Sequence, residues 1–300
     1  MMNKRLLGNF LLGTTAFIWG TSFVAIVKGL RIMSPYAFSA YRFLLSFLFI
    51  LGVTLLYDVI KKPGPDAGSD SFWRRASDWK KVFKAGLLCG SFLFFATAFQ
   101  QIGLQNTQAG KAAFITTLYI VIVPIFCIFL GKKIPWTAWI AVFLGVVGLY
   151  LLSVNEKMEI SLPDTLVLIG SFFWAGHIMA CDYFVAKCDP LKMSSAQFGF
   201  ASLFFILATL LLEKIPSYDL WLQTFPFAFF AGLVASGIGF TLQIFAQRHT
   251  APTSAALILS MESVFAALAG YFFLSERLSA GELSGCLLIF CAIILTQIRF

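Results

Sequence analysis

Apolar residues fill long runs along this chain, and short polar segments separate them. Ten such runs recur, each of about 20 residues, the length at which an α-helix crosses the hydrocarbon core of a bilayer. The breaks carry turn-forming or charged residues, as in "MSPY", "GKKIP", "SLPD" and "HTAPT". We therefore predict ten transmembrane helices, over residues 8–28, 35–57, 82–102, 107–130, 135–153, 163–185, 192–212, 225–246, 251–274 and 280–298.

The composition agrees with this pattern. Of the 300 residues, 59% are hydrophobic and only 12% are charged, and the mean hydropathy is +0.87. A water-soluble domain carries roughly twice that charged fraction. The predicted fold class is therefore an all-α polytopic membrane protein, with the lipid bilayer as its surroundings. The first apolar run is too long for the core of a signal peptide and no small-residue cleavage site follows it, so we expect it to remain as a span.

Positive charge is distributed unevenly between the two sides of the predicted bundle. With the N-terminus inside, fifteen of the 22 Lys and Arg residues fall in cytoplasmic segments, five fall outside, and Arg42 and Lys111 lie within spans. Cytoplasmic loops of membrane proteins are enriched in Lys and Arg. Both termini and the one long connection, at about 58–81, are therefore predicted to be cytoplasmic. Membrane insertion accounts for the net charge of +8, and no nucleic-acid partner is expected.

The chemistry-bearing residues do not form an enzyme-like pattern. The six cysteines fall in or at the ends of apolar runs, and no Cys-x-x-Cys pair is present. This distribution is typical of small packing residues and indicates neither a zinc site nor a disulfide framework. The two histidines, His177 and His249, belong to no shared motif. We therefore expect no metal, no cofactor and no enzymatic activity.

The chain also repeats itself weakly. "FIWGTSF" (17–23) resembles "FFWAGHI" (172–178), which places Trp19 and Trp174 155 positions apart. "QIGLQNTQAGKAA" (101–113) pairs with "QIFAQRHTAPTSA" (243–255) at an offset of 142. Each unit holds five spans, an odd number, so the second unit must be upside down relative to the first. Inverted repeats are a transporter architecture with a site near the bilayer midplane.

We therefore predict two inverted five-helix repeats, residues 1–153 and 163–300, the first containing the cytoplasmic loop at about 58–81. These motifs resemble the drug/metabolite transporter superfamily, in its EamA-like branch of ten-span carriers. The resemblance rests on "FIWGTSF", "FITTLYIVIVPIF" (114–126) and "LILSMESVFAALAGYFFLSERLS" (257–279), and it covers almost the whole chain.

This resemblance implies carriers of the bacterial inner membrane that move amino acids, other small metabolites or drugs, often outward. One feature of the superfamily does not carry over. The related four-span drug exporters bind protons and cations at a glutamate in their first helix, whereas "FIWGTSF" contains no acid.

Charged residues inside spans are the first candidates for a substrate or coupling site. Glu262 lies midway along the ninth span, where a charge is costly. It either binds protons or amines, or is an uncharged packing residue. Arg42 in the second span either snorkels to the interface or faces the bundle and holds a carboxylate. We expect Asp182, near the cytoplasmic side, to pair with Lys187.

Aromatic and histidine residues near span centres complete the predicted site. Trp19 and Trp174, at equivalent positions of the two inverted units, are expected to face each other across the axis that relates the units. They either line a cavity between spans 1, 2, 4, 6, 7 and 9 or pack within the bundle. His177, one turn after Trp174, either relays protons or is a neutral hydrogen-bonded side chain. Tyr119 offers a hydroxyl, and Pro124 predicts a kink in the same span. The predicted site residues are Trp19, Arg42, Tyr119, Trp174, His177 and Glu262. We expect Glu262 to be protonated at rest, and Arg42 or His177 to approach it and hold the charge when it ionises.

The predicted function is secondary active transport by alternating access, as an exporter of small metabolites such as amino acids or related amphiphiles, with protons as one coupling option. A drug or nucleotide-sugar exchanger of the same superfamily is the alternative. A nucleotide diphosphate would require several convergent cations, and the spans hold only Arg42 and Lys111. A channel is less favoured, because no filter-like loop interrupts a span. The protein is expected to act as a monomer or homodimer.

Overall fold

A computed structural model describes residues 3–60, 70–106, 109–153, 161–274 and 279–297, and over these residues the ordered elements are all helical. The helices are α1 (Lys4–Leu30), α2 (Pro35–Ile60), α3 (Asp70–Leu104), α4 (Ala109–Thr117), α5 (Tyr119–Phe129), α6 (Trp136–Ser153), α7 (Leu162–Val185), α8 (Pro190–Leu212), α9 (Tyr218–Phe229), the π-helix π1 (Phe230–Phe240), α10 (Thr241–Gln247), α11 (Pro252–Leu259), α12 (Met261–Leu274) and α13 (Ala280–Gln297).

The helices correspond to the ten predicted spans. Within the described residues, eight stretches are long and apolar enough to cross a bilayer, and the apolar helices Trp136–Leu151 and Leu283–Leu295 are shorter. Three spans contain more than one helix: α4 with α5, α9 with π1 and α10, and α11 with α12. The prediction of an all-α polytopic membrane protein is confirmed.

The long connection predicted at 58–81 is largely helical. Helix α2 continues to Ile60 and α3 begins at Asp70. The prolines and glycines of this connection all lie at 63–68, and the next glycine is Gly86, so no residue in between interrupts an α-helix. The residues between α2 and α3 lie outside the described part of the chain.

Helices α1 and α7 each pack mainly against helices of the other half of the chain. Helix α1 packs against π1, α10, α11 and α12, whereas α7 packs against α3, α4 and α5. Helices α2 and α8 pack along each other at one edge, and α6 and α13 do so at another. Under the proposed repeat, α1 corresponds to α7 and α2 to α8.

Helices α2 and α8 are joined at the end where α2 begins. The carboxylate of Glu213, which follows α8, accepts hydrogen bonds from Ser34 Oγ (2.6 Å) and from the backbone N–H groups of Tyr36 (3.1 Å) and Ala37 (2.9 Å). A carboxylate at this position satisfies otherwise unpaired N–H groups and interacts favourably with the helix dipole. We call the end of the bundle that holds the turns 31–34 and 213–217 the 31–34 face.

The opposite end, which we call the 186–189 face, holds the turns 131–135, 186–189 and 248–251. Here Lys192 Nζ lies 2.9 Å from Asp58 Oδ2, so α2 and α8 are joined at this end too.

A second ion pair on the 186–189 face corrects a prediction. Asp182 pairs with Lys132, with 2.6 Å between Oδ2 and Nζ, and not with Lys187. The ammonium of Lys187 instead lies 3.2 Å from the centre of the Tyr183 ring. Sequence proximity favoured Lys187, but the fold brings the α5–α6 turn against α7.

Candidate functional site

A cavity of about 640 Å³, counting the open space at its mouth, lies within the bundle. All six predicted site residues line it, namely Trp19, Arg42, Tyr119, Trp174, His177 and Glu262. The other lining residues are Ser22, Phe23, Ile26, Gln100, Leu104, Thr116, Ile178, Ala235, Phe240 and Gln243. The structure therefore brings the six candidates together, and their roles stay a prediction.

The helices that line the cavity differ in part from those predicted. Helix α3 and the eighth span contribute residues, whereas no described residue of α8, the predicted seventh span, is among them. Helix α8 is instead packed lengthwise against α2 and α3. Its Phe205 ring stacks on Phe43 of α2, with 5.5 Å between the centroids. The inclusion of the seventh span in the lining was wrong.

The cavity extends toward the 31–34 face. Ile26 lies near the end of α1 and Leu104 ends α3, and both helices end at this face. His177 and Gln243 lie farther from this face, in the last turns of α7 and in α10. Beyond them the 186–189 face carries the Lys132–Asp182 ion pair.

Glu262 lies at a break in the ninth span. Helix α11 ends at Leu259 and α12 starts at Met261, which places Glu262 in the first turn of α12. A carboxylate is electrostatically favoured at a helix N-terminus. The side chain is buried, and its Oε1 accepts a hydrogen bond from the hydroxyl of Tyr119 at 3.2 Å. In the described conformation neither Arg42 nor His177 is bonded to Glu262, and the expectation that one of them holds its charge on ionisation stays a prediction.

The fourth span is broken at the equivalent place. Helix α5 begins at Tyr119, directly after the break at Leu118, and Leu118 and Ser260 are 142 positions apart. The predicted kink therefore lies ahead of Pro124. Proline cannot donate to the carbonyl four residues back and its ring crowds that turn. The carbonyl that loses this bond is that of Ile120, inside α5, whereas at the break itself the Leu118 N–H bonds to the Ile115 carbonyl at 3.2 Å.

A glycine lets α1 reach the backbone beside Glu262. A Cβ atom at Gly20 would lie 2.6 Å from the Glu262 carbonyl oxygen and 2.6 Å from Phe265 Cβ. Only glycine fits at so close an approach. The motif "FIWGTSF" therefore contributes both the ring of Trp19 and the contact that holds α1 against α12.

The two tryptophans approach each other at the cavity wall, as predicted for equivalent positions. Their ring centroids lie 6.5 Å apart, and Phe240 lies 4.6 Å from Trp19 and 5.8 Å from Trp174. The Trp19 Nε1–H donates to the Ala235 carbonyl at 2.9 Å. The Trp174 Nε1–H has no acceptor among the residues that the structure describes, so it is available to a ligand.

The π-helix was not predicted. Three glycines in "FAGLVASGIGF" (230–240) lower its α-helical preference, and this was the only signal in the sequence. Its backbone carbonyls are bonded by neighbouring helices: Thr15 Oγ1 donates to Gly239 O at 3.2 Å and Ser46 Oγ to Gly232 O at 2.8 Å. Single-turn π-bulges are often found at functional sites, and π1 runs over a longer stretch beside the cavity.

Arg42 is buried, which excludes snorkelling to the interface. Its guanidinium carbon lies 4.6 Å from the centre of the Phe43 ring. When the Gln101 amide is oriented so that its nitrogen donates to Pro35 O at 3.2 Å, its oxygen accepts from Arg42 Nη1 at 3.1 Å. Arg42 Nε keeps no acceptor among the described residues.

His177 is fully buried, and its Nε2 lies 3.0 Å from Gln197 Oε1. Gln197 was missed in the sequence because nothing in α8 distinguishes this amide from a surface residue. Gln100 and Thr116, which bond to each other at 3.0 Å across the cavity wall, were missed for the same reason. Among the described residues no group of three His, Cys, Asp or Glu side chains is placed to hold a metal ion.

Comparison with known proteins agrees with this architecture. The sequence profile of the EamA-like transporter family matches residues 6–154 and again residues 161–298. The chain belongs to the EamA-like transporter family. It is thus a membrane protein of a family of transporters, which implies a small-molecule substrate.

Relatives of this EamA-like protein carry matching names. It is 31% identical to an uncharacterized transporter of Archaeoglobus fulgidus, over 99% of this chain and 87% of the relative. It is 27% identical to the uncharacterized transporter YwfM of Bacillus subtilis, over 91% and 88% of the two chains. A chloroplastic WAT1-related protein of Arabidopsis thaliana is 25% identical over 94% of this chain and 67% of the relative. Two of these three relatives are named transporters, which argues against an enzyme.

A solved crystal structure shares the fold. It superimposes with a TM-score of 0.74 over 96% of each chain, at 15% sequence identity. At this identity the likeness extends to the fold alone.

Proposed function

We propose that this protein is a secondary active transporter that exports small zwitterionic metabolites, such as amino acids or related amphiphiles, across the cytoplasmic membrane. The observation that carries the proposal is that one cavity is lined by a buried cation, Arg42, a buried acid, Glu262, and the paired rings of Trp19 and Trp174.

Each of these groups has a complementary part in a zwitterion. The guanidinium of Arg42 binds a carboxylate, and its planar fork suits both oxygens. Glu262 accepts hydrogen bonds from an ammonium group. The tryptophan rings provide apolar surface, and their faces also attract cations. The free Nε1–H of Trp174 adds a donor.

The same geometry supports proton coupling through Glu262 as part of the proposal. One carboxylate with a single tyrosine hydroxyl as its described side-chain partner cannot hold a proton and a substrate ammonium at once. Binding of one therefore displaces the other, which is the basis of antiport. An inward proton gradient then drives substrate outward, because each ligand shifts the conformational equilibrium only through its differential affinity.

Alternating access requires the cavity to reach each face in turn. In the described conformation it extends toward the 31–34 face, while Lys132 and Asp182 pair at the 186–189 face. The charge distribution of the sequence predicts that the 31–34 face is external. Opening to the cytoplasm would then require this ion pair to separate.

The alternative substrates fit less well. Arg42 is the only permanently charged cation among the described lining residues, and a nucleotide diphosphate carries at least two negative charges. A cationic drug without a carboxylate would leave Arg42 buried and unused.

Counterflow into proteoliposomes tests the proposal. Four labelled probes separate the candidates: phenylalanine, phenethylamine without the carboxylate, phenylpropionate without the amine, and a uridine diphosphate sugar. We expect saturable counterflow of phenylalanine, and its loss in Arg42→Gln but not in Arg31→Gln, a matched change at an exposed arginine outside the cavity. Non-saturable flux without counterflow would indicate a channel. Transport of phenethylamine but not of phenylalanine would favour a drug carrier. Transport of the nucleotide sugar but not of phenylalanine would favour a nucleotide-sugar exchanger.

A further inference from the structure

Three buried polar atoms near the 186–189 face have no hydrogen-bond partner among the described residues. They are Ser194 Oγ and Gln197 Nε2 on α8 and Gln243 Oε1 on α10, and each of these side chains is 0% exposed. Buried polar atoms in folded proteins are nearly always bonded. Three unpaired atoms on two helices that pack together are therefore a candidate ligand site.

Hydrogen bonds connect the two glutamines to one short segment of α7. Gln197 Oε1 lies 3.0 Å from His177 Nε2, and Gln247 Nε2 donates to the carbonyl of the next residue, Ile178, at 2.9 Å. Gln243 Nε2 in turn donates to Gln247 Oε1 at 3.2 Å. Ser194 lies three residues before Gln197, on the same side of α8.

These bonds fix which atom of Gln243 is free. A backbone carbonyl can only accept, so Gln247 must present its nitrogen to Ile178 and its oxygen to Gln243. Gln243 must then present its nitrogen to Gln247, and its oxygen is left as an unpaired acceptor.

The same three positions in the first half of the chain are bonded to one another, although Arg42 Nε has no acceptor among the described residues. Ser39 and Arg42 lie 155 positions before the two α8 residues, and Gln101 lies 142 before the α10 residue. There the Gln101 amide contacts Ser39 Oγ at 2.5 Å and Arg42 Nη1 at 3.1 Å. In the second half Gln197, a neutral amide, occupies the position equivalent to Arg42. The polar atoms of Ser194, Gln197 and Gln243 named above then have no partner among the described residues.

We propose that Ser194, Gln197 and Gln243 form a second substrate subsite, which becomes accessible when the cavity opens to the 186–189 face. This inference rests on the proposed function and extends it to the other access state. The ligand is the headgroup of a zwitterion: Gln243 Oε1 accepts from its ammonium and Ser194 Oγ donates to its carboxylate. Gln197 Nε2 is a second donor to the carboxylate in the tautomer in which His177 Nε2 carries the proton and donates to Gln197 Oε1. Because these donors are uncharged, the subsite holds a carboxylate more weakly than Arg42 does.

Cysteine accessibility tests the subsite without knowledge of the substrate. Ser194→Cys and Ser46→Cys are made in a variant whose six native cysteines are replaced by alanine. Both serines are 0% exposed, but Ser46 Oγ is bonded to Gly232 O and lies outside the cavity lining. A membrane-impermeant thiosulfonate added at the 186–189 face should label Ser194→Cys about tenfold faster than Ser46→Cys. Equal rates would overturn the subsite.

Transport kinetics test what the subsite binds. Gln197→Leu and Gln243→Leu should each raise the KM for phenylalanine supplied at the 186–189 face about threefold to tenfold, the effect of one lost hydrogen bond. For Ser194→Ala, whose side chain does not line the cavity in the described conformation and bonds to no described lining residue, the KM at the 31–34 face should be unchanged, whereas Arg42→Gln should raise it. Should either leucine variant fail to fold, Ser194→Ala serves as the smaller change. An unchanged KM at the 186–189 face in variants that fold would mean that water alone occupies these positions, and the subsite would be wrong.

The two proposals fail in different ways. If the wild type carries no zwitterion, the proposed function is wrong, while labelling of Ser194→Cys still decides whether a path opens beside this residue. If the wild type carries phenylalanine but Ser194→Cys is not labelled, the function stands and the subsite is wrong.

Discussion

The hydroxyl of Tyr119 lies 3.2 Å from Oε1 of Glu262, at the point where two broken helices meet. Ser263 Oγ, next along α12, lies 3.5 Å from Thr117 Oγ1. The two breaks are therefore linked by side chains from both halves of the chain. A change in the charge of Glu262 acts directly on this junction.

Replacement of Glu262 separates proton coupling from substrate binding. Glu262→Gln keeps the size and hydrogen bonding of the side chain but cannot ionise. We expect this variant to exchange substrate downhill but not to concentrate it under an imposed proton gradient. Tyr119→Phe, which removes one hydrogen bond worth about 1 kcal/mol, should slow transport by roughly fivefold and keep coupling. Wild-type accumulation by Glu262→Gln in proteoliposomes would identify Glu262 as a packing residue.

The two tryptophans should respond differently to the same substitution. Trp19→Phe removes the donor to the Ala235 carbonyl and should lower stability by about 1–3 kcal/mol. Trp174→Phe removes an N–H with no described acceptor, so it should affect substrate KM more than stability. Thermal unfolding in detergent and counterflow measure the two effects. Equal losses of stability would contradict the hydrogen-bond assignment.

Two glycines of α1 provide a matched pair. A methyl group at Gly20 would collide with the α12 backbone at Glu262, whereas a Cβ at Gly13 meets no atom within 4 Å. We expect Gly20→Ala to lower both the unfolding temperature and transport, because α1 must move away from α12. Gly13→Ala should be neutral, or stabilising by about 0.5–1 kcal/mol. Similar behaviour of the two variants would show that α1 is not in close contact with α12.

The acids at the ends of α2 and α8, Asp58 and Glu213, should contribute differently to the stability of the protein. Glu213→Gln weakens three hydrogen bonds at the start of α2 and should cost about 1–2 kcal/mol. Asp58→Asn removes an ion pair with half-exposed partners and should cost less than about 0.5 kcal/mol. Denaturation midpoints at low and high salt separate the two. A larger loss of stability from Asp58→Asn than from Glu213→Gln would contradict this ranking.

The orientation in the membrane is open to direct test. The excess of Lys and Arg predicts a cytoplasmic position for the segment around Gly64 and for the C-terminus. A reporter that is active only in the cytoplasm should be active when fused at either place, and a reporter that is active only outside the membrane should be inactive there. A fusion after Ile160, which the same rule puts outside, is the control. Activity of the Gly64 fusion outside the membrane would invert the topology.

The sequence alone determined that this chain spans a membrane, where its helices run, and which residues are candidates for the functional site. Those conclusions follow from local properties: the length of each apolar run, and the cost of placing Arg42 or Glu262 within one. The internal similarity also indicated that Trp19 and Trp174 belong together, because equivalent positions meet at a two-fold axis.

Only the tertiary structure decided which polar groups meet. Glu262 bonds to Tyr119 and Asp182 to Lys132, since partners in a bundle are set by how helices pack and not by separation along the chain. The exclusion of α8 from the cavity has the same cause, because its aromatic face is covered by α2. Gln243 is the clearest case: in the sequence it is one amide among several, and only its bond to Gln247 leaves its oxygen free. A hydrogen bond needs a distance and a direction, and an amino-acid sequence specifies neither until the chain has folded.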